Sequence, residues 1–142
     1  MYNIIQHSHS GLMWLTVTML VLSVLFSLLG LFKKDDYTDL KWFKLFKFTK
    51  WLFYLQAVLG FVLFFISPMV EFSEGFMKDE ARRFYGMEHP IMMLIVVGLL
   101  AVGLYKAKKK ISIVRMSRTI LIFYSIALIV VAMMVPWKAV LS

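Results

Sequence analysis

The stretch Leu12-Met13-Trp14-Leu15-Thr16-Val17-Thr18-Met19-Leu20-Val21-Leu22-Ser23-Val24-Leu25-Phe26-Ser27-Leu28-Leu29-Gly30-Leu31-Phe32 holds 21 residues and no charged side chain. About 20 such residues in a helix cross the hydrocarbon core of a bilayer, and a helix keeps its backbone N–H and C=O groups paired without water. Gly30 and the pair Lys33-Lys34 end the run. On its other side, Asn3 and Gln6 have the spacing of a capping box, so the helix is expected to begin near residue 3 and to carry His7 and His9 in its opening turns. The preceding Met1-Tyr2-Asn3-Ile4-Ile5-Gln6 has no basic residue, and no small-residue cleavage site follows the run, so it reads as a retained helix and not a signal peptide.

Three further apolar runs follow, and 61% of the 142 residues are hydrophobic, with a mean hydropathy of +0.81. A soluble domain of this size could not bury that much apolar surface. The expected fold is all-α: one integral membrane four-helix bundle over 1–142, with helices at about 3–32, 48–67, 90–108 and 117–138. Ser67-Pro68 stops the second helix, and Pro90 suits the first turn of the third. Between residues 33 and 47, lysines interleave with Trp42, Phe43 and Phe46, as in a segment lying at headgroup depth. There is no cysteine, which excludes disulfides, thiolate metal sites and covalently attached haem.

The net charge of +8 is unevenly spread. The first and third connections, with their flanks, each carry six Lys/Arg; the second carries three, the N-terminus none and the C-terminus one. Positive residues stay in the cytoplasm, so both termini and the second connection are expected on the outer face, the periplasm of a bacterial inner membrane. The same pattern assigns the charge to anionic lipid, with no nucleic acid as partner.

That topology brings the three histidines to one face. His7 and His9 open the first helix, and His89, in Arg82-Arg83-Phe84-Tyr85-Gly86-Met87-Glu88-His89-Pro90, opens the third. Helices one and three of a four-helix bundle are commonly diagonal, so their entrances could hold a flat cofactor between two imidazoles. Haem iron is commonly bound by axial histidine without a thioether link. Residues two apart on a helix point to nearly opposite sides, so only one of His7 and His9 can face the core, and the deeper His9 is favoured. Arg82 and Arg83 could pair with the propionates, or simply balance the acids around them. A zinc site from His7, His9 and Glu88 is weaker, because the ligands have no tight spacing. Met87 is a conceivable axial ligand, but one methionine among 11 is more simply packing. Tyr54 and Gln56 are expected to form interhelical hydrogen bonds, and Gly60 and Gly98 to permit close helix approach. No nucleophile–base pair, phosphate loop or catalytic carboxylate pair is present.

Several short motifs resemble a bacterial family of small four-helix membrane proteins described as cytochrome b. They are His7-Ser8-His9-Ser10, Leu55-Gln56-Ala57-Val58-Leu59-Gly60 with Ser67-Pro68, Met77-Lys78-Asp79, Arg83-Phe84 with Glu88-His89, and the basic third connection. The resemblance covers nearly the whole chain and implies haem b, with His9 and His89 as the matching ligand positions. Where family members often carry a histidine before the Leu-Gln pair, this chain has Tyr54. The expected function is therefore a b-type cytochrome-like membrane electron-transfer protein or subunit, with quinol or a larger respiratory or transport complex as partner. The alternative is a haem-free structural or assembly subunit of a larger membrane complex. Either way the chain reads as an electron-transfer or accessory subunit more than a stand-alone enzyme.

Overall fold

The computed structural model describes residues 1–33, 40–110 and 112–141. Four long helices dominate: α1 (Tyr2–Gly30), α2 (Leu40–Ile66), α4 (His89–Ala107) and α5 (Ile113–Met134). Two short ones accompany them, α3 (Glu80–Arg83) and α6 (Trp137–Leu141). Four helical stretches are long and apolar enough to cross a membrane. α1 packs on α2 and α5, and α4 packs on the same two helices. The four thus close a ring in which α1 stands across from α4, the diagonal relation expected of the first and third spans.

The outward faces are apolar as well as the inward ones. Phe61, Phe65, Leu94 and Met133 are all about two-thirds exposed, which suits a surface solvated by lipid chains. The interior is sealed by Leu20, Phe46, Val96, Leu100, Met116, Ile120 and Tyr124, all fully buried. Two hydrogen bonds made by hydroxyls buried among them tie helices together. Ser23 and Thr49 share one at 2.8 Å between α1 and α2, and the Tyr124 hydroxyl donates to the Phe46 carbonyl at 2.8 Å, joining α5 to α2. Such bonds contribute about 0.6 kcal/mol each on average between spanning helices.

α5 begins at Ile113 and not near 117, with the Ser112 side chain accepting the Val114 amide, and three further boundaries differ from expectation. α2 begins at Leu40, not near 48. In this added stretch Phe46 is buried and Phe43 and Leu45 are partly so, while Lys44 and Lys47 are exposed. An amphipathic face of this kind extends the helix beyond its uncharged run. The interfacial stretch expected from residue 33 falls partly on 34–39, outside the described residues. At the other end of the chain, α5 stops at Met134 and not at 138, because Val135 precedes Pro136 and takes an extended conformation.

The third difference lies before α4. The residues Asp79–Tyr85 suit a short surface helix, and helical backbone does start at Glu80, capped by the Asp79 side chain, which accepts the Arg82 amide at 3.1 Å; the difference is that it does not end before α4. Phe84–Glu88 then form a π turn that runs directly into α4, with the His89 amide donating five residues back to the Phe84 carbonyl. Pro90 gives the physical reason. It has no N–H, and its ring collides with the carbonyl four residues earlier, that of Gly86. Widening the turn moves that carbonyl aside. Gly86 is itself buried against Phe72, whose ring would lie 3.2 Å from an added Cβ.

Candidate functional site

At the end of the bundle where α1 begins and α2 finishes, all four long helices contribute to one polar cluster. His7 and His9 part company there as the helical turn requires: His7 is exposed, and His9 is half-buried with its ring against α2. The contact point is Gly60. A Cβ added there would meet His9 Cε1 at 3.3 Å, so the absent side chain makes the room that the imidazole uses. One turn earlier on the same face of α2, Gln56 Nε2 donates to the His9 backbone carbonyl at 3.1 Å. Gln56 thus forms the interhelical bond expected of it.

His89 enters from the diagonal helix and lies close enough to interact electrostatically with His9. Its ring packs against Phe84, with 5.5 Å between centroids, and its Nδ1 lies 2.8 Å from the Met134 carbonyl of α5. A carbonyl only accepts, so Nδ1 must carry the proton and donate. Nε2 then holds the lone pair. This is the arrangement by which proteins orient a metal-binding imidazole, with the far nitrogen tied to a carbonyl and the near one left to act.

Among the described residues, two buried polar atoms in this cluster find no partner, His9 Nδ1 and Gln56 Oε1. An unsatisfied polar atom in a buried setting costs roughly 1–3 kcal/mol, so such atoms mark a place where something further is held or where function outweighs stability. Among the described residues, no three His, Asp or Glu side chains gather as a metal set. That removes the geometric basis for zinc between His7, His9 and Glu88. A bis-histidine haem asks for only two protein ligands, and His89, with Nδ1 tied to a carbonyl, and the half-buried His9 are two imidazoles at the same end of the bundle.

The arginines are engaged elsewhere. Arg82 pairs with Asp79 at 3.2 Å and Glu71 at 3.7 Å, and also donates to the Ser73 hydroxyl. Arg83 donates to Glu88 at 2.7 Å and to the Met77 carbonyl at 2.9 Å. Both therefore brace the connection between α2 and α4. The amide of Arg82, followed by its guanidinium, holds the Asp79 carboxyl below its ordinary value of 3.8. Met87, half-buried, lies within the π turn itself.

Tyr54 stands apart from this cluster. Its ring stacks edge-on against Trp51 at 5.1 Å, with the Lys50 ammonium 5.2 Å above it. It borders a cavity of about 330 Å³ at the lysine-rich end. Gly60 permits the close approach expected of it, with the His9 ring of α1 as the group that uses it; sequence reasoning missed two residues that build the histidine end, Met134 as the carbonyl that orients His89 and Gly86 in the π turn. Gly86 and Pro90, spaced four apart, were the available signal for the π turn; a backbone carbonyl such as that of Met134 leaves none. No family model, curated protein or solved structure matches the chain.

Proposed function

We propose that the chain is a b-type cytochrome-like electron-transfer protein or subunit of a bacterial inner membrane, with His9 and His89 as the axial pair at the periplasmic end. The observation that carries the reading is the hydrogen bond from His89 Nδ1 to the Met134 carbonyl, which leaves Nε2 with its lone pair, at the end of the bundle where His9 is also half-buried. Haem held there would supply one-electron chemistry, ferric to ferrous and back. The chain's own part is to fix the ligands. Met134 sets the His89 tautomer, Gly60 makes room for the His9 ring, and Gln56 fastens α2 to α1 beside it. Quinol, or a larger respiratory or transport complex, is the matching class of electron partner.

The positive-inside rule supports the orientation, since connections one and three carry twelve Lys/Arg, six each, against four, Lys78, Arg82, Arg83 and Lys138, for connection two and the termini. A second reading, a haem-free structural or assembly subunit, is favoured by one observation: both arginines nominated for propionates are already bonded within their own connection. A reduced-minus-oxidised absorption spectrum of the purified protein separates the two. A b-type band is expected in the wild type and none in His89→Ala, because the substitution removes one iron–protein bond. Tyr54→Ala should keep the band, because Tyr54 supplies no iron ligand: it lies about 9 Å along the helix axis from Gly60, with its ring on Trp51 toward the lysine-rich end. Wild-type protein that stays colourless after haem supplementation leaves only the second reading.

A further inference from the structure

At the end of the bundle opposite the histidines, the 330 Å³ cavity opens between α2 and α4. Lys47 and Lys50 of α2 and Lys108, which caps α4, bring three ammonium groups to it, and Tyr54 and Tyr105 stand beside them. The charge on Lys50 interacts with both Lys47 and Lys108, so the three form one cluster. Among the described residues, no carboxylate lies within ion-pair distance of any of them. Lys50 and Lys108 instead sit over aromatic rings: Lys50 is 5.1 Å from the Trp51 centroid, and Lys108 is 5.4 Å from that of Tyr105. Cation–π contacts ease the burial of an ammonium but do not neutralise it. Three like charges converging on one groove repel each other, and an anion seated between them would remove that cost.

The setting selects the anion. The groove lies between two helices that are long and apolar enough to span a bilayer, and its apolar side is made by Phe43, Ala101 and Leu104. A ligand that fits both parts has a phosphate group for the lysines and hydrocarbon for the rest. Basic pockets between spanning helices on the cytoplasmic side recognise anionic headgroups on this ground, and tyrosine hydroxyls can add hydrogen bonds to phosphate oxygens. We propose that the groove between α2 and α4 binds the headgroup phosphate of an anionic phospholipid through Lys47, Lys50 and Lys108. The site rests on the membrane embedding proposed above, and not on the haem.

The test uses the full chain in phosphatidylcholine vesicles that contain a small fraction of spin-labelled phosphatidylglycerol. The readout is the immobilised share of the label at fixed salt. Wild type should prefer the anionic lipid, and Lys50→Gln with Lys108→Gln should lower that preference by roughly tenfold, each near-surface lysine being worth up to about fivefold. Lys50→Arg with Lys108→Arg should retain it. Lys106→Gln with Lys110→Gln removes the same charge from residues that line the other cavity of this end and should change it little. An equal loss in that control would replace the site with diffuse surface charge and overturn the proposal. Displacement of the lipid by millimolar inorganic phosphate would also overturn it, in favour of a soluble phosphate ligand. Protein that floats with the vesicles but shows no preference sinks the headgroup site alone, whereas protein that fails to float sinks the embedding as well.

Discussion

His89 can be read nitrogen by nitrogen. With Nδ1 committed to the Met134 carbonyl, the ring is held in one tautomer, and ¹⁵N spectra of the ring should show a single Nδ1–H species with no exchange between forms. Gly60 sets the position of the opposing ring. Gly60→Ala should push His9 by a few tenths of an ångström and shift its ring resonances, while leaving those of exposed His7 in place. Two other glycines form a natural pair of controls for packing. A Cβ at Gly103 would fall 2.5 Å from Phe123 Cβ, whereas one at Gly98 meets nothing within 4 Å. Gly103→Ala should therefore destabilise the bundle by about 1–3 kcal/mol, the usual cost of overpacking, and Gly98→Ala should not, as read by unfolding in a denaturing detergent. Residue type alone pointed to Gly98 as a site of close approach and passed over Gly103, because helix phase is set by what the neighbouring helix presents. At Asp79 the sign of the pH effect follows from its lowered pKa. The ionised cap stabilises the start of α3 above the carboxyl's unfolded value, and that contribution is lost as pH falls through the folded value. Amide exchange at Arg82 should accelerate across that acid window, and Asp79→Asn should flatten the dependence.

Among the elements, the π turn has the largest consequence for the site. It ends where α4 begins, so it sets the azimuth from which His89 departs. Adding or deleting one residue in a helix rotates every later side chain by about 100°. Pro90→Ala restores an N–H and removes the clash with the Gly86 carbonyl, so the segment should tighten to α geometry and swing the His89 ring off Met134. Loss of the single-tautomer ¹⁵N signature would register that swing; an unchanged spectrum would mean that Pro90 does not maintain the turn. The long apolar runs made four helices legible from the residues alone, because each run matches a bilayer's thickness. Their ends were less so. The lysines at 41, 44 and 47 masked the start of α2, since charge counts against a span while three-residue spacing is compatible with a helix carrying one polar face. A short helix over Asp79–Tyr85 was legible in the residues; its continuation through 88 into α4 was not, since the acids and arginines that pair within and just before that segment read as a surface connection.

For the whole molecule, polar residues are distributed by end. Among the described residues, the histidines, the acids and the pair Arg82 and Arg83 lie at one end, and the lysines of the other line two cavities of about 330 and 390 Å³. The facing of the two ends is open to a direct measurement: a reporter active only in the cytoplasm, fused after α6, should be silent, as six Lys/Arg flank each of two alternate connections. The site's legibility has the same origin. Counting charges was enough to bring His9 and His89 to a common end, because topology alternates with each span, but it could not reveal that Arg82 and Arg83 already had partners.

The hydrogen bond between Tyr124 and Phe46 has a consequence for how the chain is put together. The Ser23–Thr49 and Gln56–His9 bonds close within the first helical hairpin, and His89–Met134 closes within the second. Each hairpin can therefore satisfy these groups as it leaves the ribosome, before the other exists. Tyr124 to Phe46 is the tie that crosses from one to the other. Two separately expressed pieces, cut in the connection after α2, should find each other in the same membrane and rejoin, much as a split reporter does. Tyr124→Phe should slow or weaken that reunion while leaving each piece intact, which makes this hydroxyl the checkpoint at which two independently inserted halves become one protein.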